Sequence, residues 1–284
     1  MLCVRIDASR LSNLQAVQNV NTPGACHKGI SDTGELPPRI RSILVEFNHQ
    51  IEQAISTPRL GTYRSEASSD EHAWALYRWN IHLAAAVAPL AADLEVTLRN
   101  TIHDRLTDHF DRPDWWASTS LLLDDVTAAM LTEVVRKHQK EITTGKVGPG
   151  KVIADTTLGV WVHLLGRGGH SALGRPIDYE TRLWRPALRF GFSKGTFTPA
   201  GRERRPTRAE VHDRAALFQR LRNRAVHHEP ILNGVQVPGS TTVIAIDDVW
   251  ERSLELLAWM SPDLADLHRE QSAMPDLLHH RPHA

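Results

Sequence analysis

The 284-residue sequence predicts an all-α fold. Apolar residues recur three or four positions apart through much of the chain, which is the spacing of one helix face. The clearest row follows Pro89 and consists of Leu90, Leu94, Leu98, Ile102 and Leu106. Strand signals are confined to residues 231–246, where turn residues at Gly234 and Pro238 make a small hairpin a candidate.

The order of elements predicts one helical domain over residues 39–268, preceded by an irregular tail over 1–38 and followed by a flexible tail over 269–284. Proline and capping residues set most of the boundaries, and Pro89 either starts a new helix or kinks an existing one. We predict helices over about 40–56, 69–87, a segment after 89, 124–143, 152–166, 178–189 with a break near 186, 206–228 and 247–260.

Composition limits the class of protein. Lys plus Arg and Asp plus Glu are both 33, so no global positive charge draws the chain to nucleic acid and any polyanion must be gripped locally. Cys3 and Cys26 are the two cysteines, too few for a disulfide framework or a cysteine metal site. Since no apolar run approaches the roughly 18 to 20 residues that a membrane span needs, we expect a soluble, cytoplasmic protein without a membrane anchor.

The segment Gly145–Lys151 has the glycine and lysine spacing of a phosphate-binding loop, but the surrounding residues argue against it. Val152 stands where a magnesium-binding hydroxyl is needed, Pro149 lacks an amide donor, and a helix rather than a strand precedes the loop. We therefore exclude a nucleoside triphosphatase.

The segment Leu221–Ile231, LRNRAVHHEPI, places several ionisable groups at a predicted helix end. Pro230 cannot continue the helix, so His227 and His228 should lie in or just beyond its last turn. Carbonyl groups gather at that end and favour a cationic imidazole.

Arg222, Asn223 and His227 form a compact candidate site within this segment. Asn223 lies one turn before His227 on the same face, whereas Arg222 is offset by roughly 140° and must reach around the helix. A guanidinium, an amide and an imidazole are the groups needed to hold and cut a phosphodiester without a metal. The alternative is a simple helix cap, because His and Arg are both common in the last turn.

Two further patterns accompany the motif. The row Glu95, Arg99 and His103 borders the apolar stripe of the helix after Pro89, and taken alone this row favours a solvated, salt-bridged face over a functional one. The motif helix is rich in arginine, which gives either a local phosphate-binding patch or a face paired with acids. Those arginines are Arg208, Arg214, Arg220, Arg222 and Arg224.

These residues and their order resemble the Abi-like family, the abortive-infection proteins of the HEPN superfamily of all-helical domains. The resemblance runs from about Arg59 to Ile231, and the motif at its end is the most specific part. The matching segments are Pro58-Arg59-Leu60 with Tyr63, Ala75–Asn80, Leu94–Asn100, Asp114-Trp115-Trp116, Gly150–Ile153, Gly159–Val162 and Leu221–Ile231.

The resemblance implies a HEPN-type helical bundle with extra helices, acting as a metal-independent endoribonuclease and a homodimer, in which two copies of the motif meet across a cleft. The implied partners are RNA, a second copy of the chain and, as a further candidate, an antitoxin; no cofactor or metal is implied. The site residues are, as catalytic groups, Arg222, Asn223, His227 and His228 and, as supporting or substrate-binding groups, Glu95, Arg99, Asn100, Arg220 and Arg224.

Two alternatives stay open. Some HEPN domains keep the fold without cleaving RNA, so a non-catalytic RNA-binding or assembly module is the main one. A metal site built from His227, His228 and Glu229 is the other, and consecutive helical positions point about 100° apart, which makes a shared ion difficult.

Overall fold

The computed structural model describes residues 52–194 and 204–283. The predicted tail over 1–38 and most of the predicted helix over 40–56 lie outside the described residues. The chain divides after Gly61 into two compact units, and all helices and strands from Asp70 onward belong to the second unit.

The described chain is mostly helical, which confirms the predicted class. Two short antiparallel hairpins interrupt the helices, and single 3-10 or π turns lie at 115–117, 180–184 and 188–191. The elements are α1 (Thr57–Arg64), α2 (Asp70–Phe110), α3 (Asp125–Thr143), α4 (Pro149–Asp155), α5 (Leu158–Leu165), β1 (Gly168–His170), β2 (Pro176–Asp178), α6 (Arg208–Val226), β3 (Val235–Gln236), β4 (Val243–Ile244), α7 (Ile246–Met260), α8 (Pro262–Gln271) and α9 (Met274–His279).

Helix α2 is continuous through Pro89. Ser69 caps its first turn by accepting the amide of His72 at 3.1 Å. Its apolar stripe faces inward on both sides of the proline. The side chains of this stripe are at most 1% exposed, and they are Leu83, Val87, Leu90, Leu94, Leu98, Ile102 and Leu106. Of the two arrangements left open by the sequence, the structure therefore has one long helix that accommodates the proline.

Helix α6 contacts the three helices α2, α5 and α7 and also strand β3. The buried side of α6 is formed by Val211, Ala215, Phe218 and Leu221, all fully buried. Thr207 caps its start and Glu210 completes a capping box, which fixes where the helix begins. The opposite side of α6 stays exposed.

Both hairpins are two-stranded. The predicted one, β3–β4, is present, with Val235 paired to Ile244. The other, β1–β2, is absent from the sequence prediction because its strands are only three residues long and carry no apolar alternation, and two of the three residues of β1 are glycine. Gly168 has φ +87°, and a Cβ there would lie 2.1 Å from the carbonyl oxygen of Ile177, so only glycine fits.

Three segments differ from the sequence prediction. The helix expected over 152–166 is divided into α4 and α5 at Thr156, whose side chain donates back to the Val152 carbonyl at 2.8 Å. The helix expected over 178–189 is a π turn followed by a 3-10 turn on either side of Pro186. The tail expected over 269–284 contains α9, whose Leu277 carbonyl accepts the Trp79 indole N–H at 2.7 Å.

Helix α2 is long and apolar enough to cross a membrane, with a mean hydropathy of 1.5 over its most apolar 18 residues, of which 28% are buried. This helix differs from the sequence prediction, in which no apolar run approached that length. One row of its apolar residues faces the protein interior, whereas Ile81 and Val96 are exposed, and a long core helix of a globular domain passes the same test. The property is therefore weak evidence for a membrane span.

Candidate active site at the end of α6

The end of α6 is closed by three backbone hydrogen bonds. The amide of His227 donates to the Asn223 carbonyl at 2.9 Å and that of His228 to Ala225 at 3.2 Å. The amide of Glu229 donates to the Arg224 carbonyl at 2.8 Å, which completes a Schellman motif. The helix therefore ends where Pro230 predicted, and its last carbonyls are already used.

His228 occupies the left-handed position of this motif, with φ +57°. Glycine is the usual residue there because a Cβ costs about 1 kcal/mol in that conformation. A histidine at this point turns its side chain in a direction that a continuing helix would not give. Both His227 and His228 are exposed, so both imidazoles are accessible to a substrate.

The side chain of Arg222 contacts α2 and its own neighbour on α6. Its Nε lies 3.4 Å from a carboxylate oxygen of Glu95, and its Nη1 donates to the amide oxygen of Asn223 at 3.3 Å. Arg222 is 34% exposed and Glu95 27%, so solvent screens the pair and its contribution to stability is small. The Arg222 guanidinium therefore lies between the Glu95 carboxylate on α2 and the side-chain amide of Asn223 on α6.

This contact joins three of the residues expected in the site, Glu95, Arg222 and Asn223. Because Asn223 accepts from Arg222 through oxygen, its amide nitrogen is left to donate to a phosphate. A guanidinium held in this way presents a defined direction to a bound anion.

Arg224 performs a different task. Its guanidinium donates to the Gly234 carbonyl at 2.9 Å and to the Pro230 carbonyl, and it lies 3.5 Å from Glu229. These contacts fold the chain after α6 back against the helix. Arg224 therefore holds the loop that follows the histidines.

Asn80 fixes the same loop from α2 and was not singled out from the sequence. It is 2% exposed, and its side-chain oxygen accepts the amides of Ile231 at 2.8 Å and Leu232 at 3.2 Å. A buried amide that satisfies two buried N–H groups is costly to remove. The available signal was a polar residue in the apolar row Leu76, Asn80, Leu83 and Val87.

The other supporting residues are more scattered. Arg99 donates to the Ala154 carbonyl of α4 at 3.4 Å, and its Nε is buried without a hydrogen-bond partner. Asn100 is exposed and lies about 140° around α2 from Glu95. Arg220 is exposed on α6 and donates to the Gln236 carbonyl at 3.4 Å. The structure thus joins Glu95 to the motif and gives Arg99 and Arg220 contacts elsewhere.

His103 ends the row that begins at Glu95. Its Nδ1 accepts the indole N–H of the buried Trp115 at 3.1 Å. Burial lowers the pKa of His103, and the carboxylate of Asp104 acts in the opposite direction. A neutral imidazole tied to a core tryptophan is a packing group, so the far end of the row is structural.

Among the described residues, no group of three His, Cys, Asp or Glu side chains is arranged to hold a metal ion. No family model matches the chain, and neither a curated protein nor a solved structure matches it.

Proposed function

We propose that the protein is an endoribonuclease that cuts RNA without a metal, at a site formed by the end of α6. The observation that carries the proposal is the contact of Arg222 with Glu95 and Asn223, one helical turn before the exposed imidazole of His227. The arrangement supplies an anion-binding guanidinium, a polar group and a proton-transfer group within one short segment.

The chemistry is attack of an RNA 2′-oxygen on the adjacent phosphorus. The 2′-hydroxyl proton passes to a general base, the new 2′-O–P bond forms, and the bond from phosphorus to the 5′-oxygen breaks as that oxygen accepts a proton. One imidazole serves as base and another as acid. The products are a 2′,3′-cyclic phosphate and a free 5′-hydroxyl.

Each motif residue has a role in this step. Arg222 binds the nonbridging oxygens as negative charge accumulates, a bidentate task that suits its planar fork. Asn223 donates its amide N–H to the phosphate or to the imidazole. His227 transfers one proton, and His228 or His227 of the partner subunit transfers the other.

We further propose that the chain works as a homodimer in the manner of HEPN ribonucleases and acts as an abortive-infection toxin in phage defence. The support is the sequence resemblance together with the mostly helical fold. Groups that diverge on one helix can converge between two copies of it, which accounts for the offset of Arg222 from His227.

A non-catalytic RNA-binding module is the second candidate, and one observation favours it. The Arg222 guanidinium is already paired with Glu95, so a phosphate must compete with a carboxylate for it, whereas the exposed Arg220 on the same helix can bind a phosphate without that competition. The Arg222–Glu95 pair would assist catalysis only if Glu95 orients the guanidinium toward the reacting phosphate.

The test is incubation of purified protein with total RNA in EDTA. The wild type should cleave RNA, whereas Arg222→Ala and His227→Ala should each lose at least about 100-fold in rate, the size expected for a lost electrostatic or acid–base group. Arg252→Ala removes an exposed arginine of α7 and should cleave as the wild type does.

Cleavage that disappears with EDTA and returns with a divalent ion would contradict the proposal and favour the metal site at His227, His228 and Glu229. Intact RNA in every reaction, with binding unchanged by the variants, would favour the binding module.

A further inference from the structure

A second cleft lies beside α6, away from the motif. Its volume is about 700 Å³, and its walls come from α5, the β1–β2 hairpin and α6. The cationic and imidazole groups in its lining are Arg167, Arg208, Arg220, His163 and His212. Arg208 is committed to Glu180 and to the Leu165 carbonyl, whereas Arg167 and His163 are exposed.

The α6 wall of this cleft continues into the candidate active site. On an ideal helix the following six residues lie within about 40° of one direction: Ala209, Asp213, Ala216, Arg220, Asn223 and His227. The first four line the cleft, and the last two belong to the motif. The row is about 27 Å long at 1.5 Å per residue, which is the length of about eight stacked nucleotides.

The β1–β2 hairpin lines the cleft only at its base, through Arg167, Gly168 and Gly169, and its tip is not part of the cleft lining. The amide of Gly174 donates to the Ser171 carbonyl at 2.8 Å, and the amide of Ser171 donates to the Arg175 carbonyl at 2.8 Å. Leu173 at this tip is 83% exposed. A single exposed leucine is ordinary on a protein surface, so it is the position of Leu173 between the exposed Arg167 and Arg175, rather than its exposure, that makes it a candidate contact residue.

The charge of the hairpin favours an anionic partner. Residues 166–178 contain Arg167, His170 and Arg175 and one acidic residue, Asp178 at the end of β2. The cleft itself also contains Asp124, Asp125 and Asp213, of which Asp124 is buried and Asp213 lies 3.1 Å from Nδ1 of His212. The positive charge is therefore concentrated along the hairpin rather than spread over the cleft.

We propose that the cleft and the β1–β2 hairpin bind the single-stranded RNA that leads away from the active site. Arg167 and Arg175 contact phosphates of that strand, and Leu173 packs against an unstacked base as apolar wedges do in other nucleic-acid complexes. The inference rests on the proposed function and adds a substrate class to it: single-stranded RNA that extends several nucleotides beyond the cut.

The test is binding of a 2′-O-methyl RNA of about 12 nucleotides, longer than the row, which cannot be cleaved by 2′-hydroxyl attack. Fluorescence anisotropy at several salt concentrations would compare the wild type with Arg167→Ala/Arg175→Ala. The matched control is Arg78→Ala/Arg252→Ala, which removes the same charge from two exposed arginines outside the cleft lining.

The hairpin variant should bind about tenfold more weakly, and the slope of log affinity against log salt should become shallower by about 1.4, because each neutralised phosphate of a single strand contributes about 0.7. Leu173→Ser should weaken binding about threefold, less than the 1 to 3 kcal/mol of an aromatic stacking platform. Equal binding by the hairpin variant and the control would overturn the proposal. If Leu173→Ser binds the RNA as tightly as the wild type does, the hairpin tip is not part of the RNA-binding surface, and a protein partner for the tip is favoured.

Cleavage assays keep this inference separate from the proposed function. If the wild type cuts RNA and the hairpin variant binds as the control does, the function stands and the cleft assignment fails. If the wild type leaves RNA intact while the hairpin variant alone loses affinity, the cleft assignment stands and the cleavage proposal fails.

Discussion

The two ends of α6 are built differently. At its start, Thr207 and Glu210 exchange hydrogen bonds in a capping box, and Arg204 pairs with the Glu210 carboxylate. At its end, an equally complete set of backbone bonds depends on His228 in a conformation that favours glycine. The start of α6 carries Thr207 and Glu210, which stabilise the helix, whereas its end carries His228, whose backbone conformation lowers the stability. Strain kept at a surface position is a reason to look for function there.

Among the substitutions that test this difference between the two ends of α6, Asn80→Ala should have the largest effect on the free energy of unfolding. The substitution leaves the buried amides of Ile231 and Leu232 without an acceptor and frees the loop after the histidines. We expect a loss of about 2 to 4 kcal/mol in the free energy of unfolding, measured by urea denaturation. Asn100→Ala, at an exposed position of the same helix, should change it by less than about 0.5 kcal/mol. Equal effects of the two substitutions would show that the loop is not held by Asn80.

Thr207→Ala should have the next largest effect, because it removes the N-terminal cap of α6. A lost cap costs about 1 kcal/mol, and thermal denaturation should show a lower Tm. RNA cleavage should be retained at temperatures where the variant is folded, since the start of α6 is remote from the motif. A loss of cleavage by folded Thr207→Ala would contradict the division of α6 into a structural and a functional end.

His228→Gly should act in the opposite direction. Glycine relieves the left-handed backbone, and we expect a gain of about 0.5 to 1 kcal/mol in unfolding free energy. If His228 transfers a proton, the same variant should lose cleavage as it gains stability. A variant that is more stable and fully active would assign both proton transfers to His227 and its copy.

The smallest effect should appear in acid, because solvent screens the partly exposed Arg204–Glu210 pair and reduces its contribution to stability. The hydrogen bond from Arg204 lowers the pKa of Glu210 to about 2, from an ordinary value of 4.5. Because the folded pKa is the lower one, the contribution of Glu210 to stability is full above pH 4.5 and is lost as the pH falls through about 2. Unfolding of wild type and Glu210→Gln should therefore differ at pH 6 and converge near pH 2, whereas Glu133→Gln at an exposed site of α3 should show no such convergence.

The sequence predicted most helices because their apolar rows are long and regular. The rows of α2 and α3 gave the correct elements, and Pro230 gave the end of α6. Hairpin β1–β2 was missed because three-residue strands with two glycines carry no alternation, and the break between α4 and α5 depends on one threonine side chain. Local patterns predict regular elements better than such single contacts.

The candidate site was predictable only in part. Arg222, Asn223 and His227 are neighbours in sequence, so their spacing on one helix was visible. Their partner Glu95 lies on α2, and the contact depends on how two helices pack. The role of Asn80 and the left-handed His228 depend on a loop conformation that residue spacing does not encode.

The most direct test of the account is the chemistry of the cut ends. An RNA oligonucleotide cleaved by the wild type in EDTA should yield a 2′,3′-cyclic phosphate and a 5′-hydroxyl. The same oligonucleotide with a single 2′-deoxy nucleotide on the 5′ side of the cut should resist cleavage at that bond. A 3′-hydroxyl with a 5′-phosphate, or unimpaired cleavage of the deoxy oligonucleotide, would show that water rather than the 2′-hydroxyl attacks, and would contradict the roles assigned to Arg222 and His227.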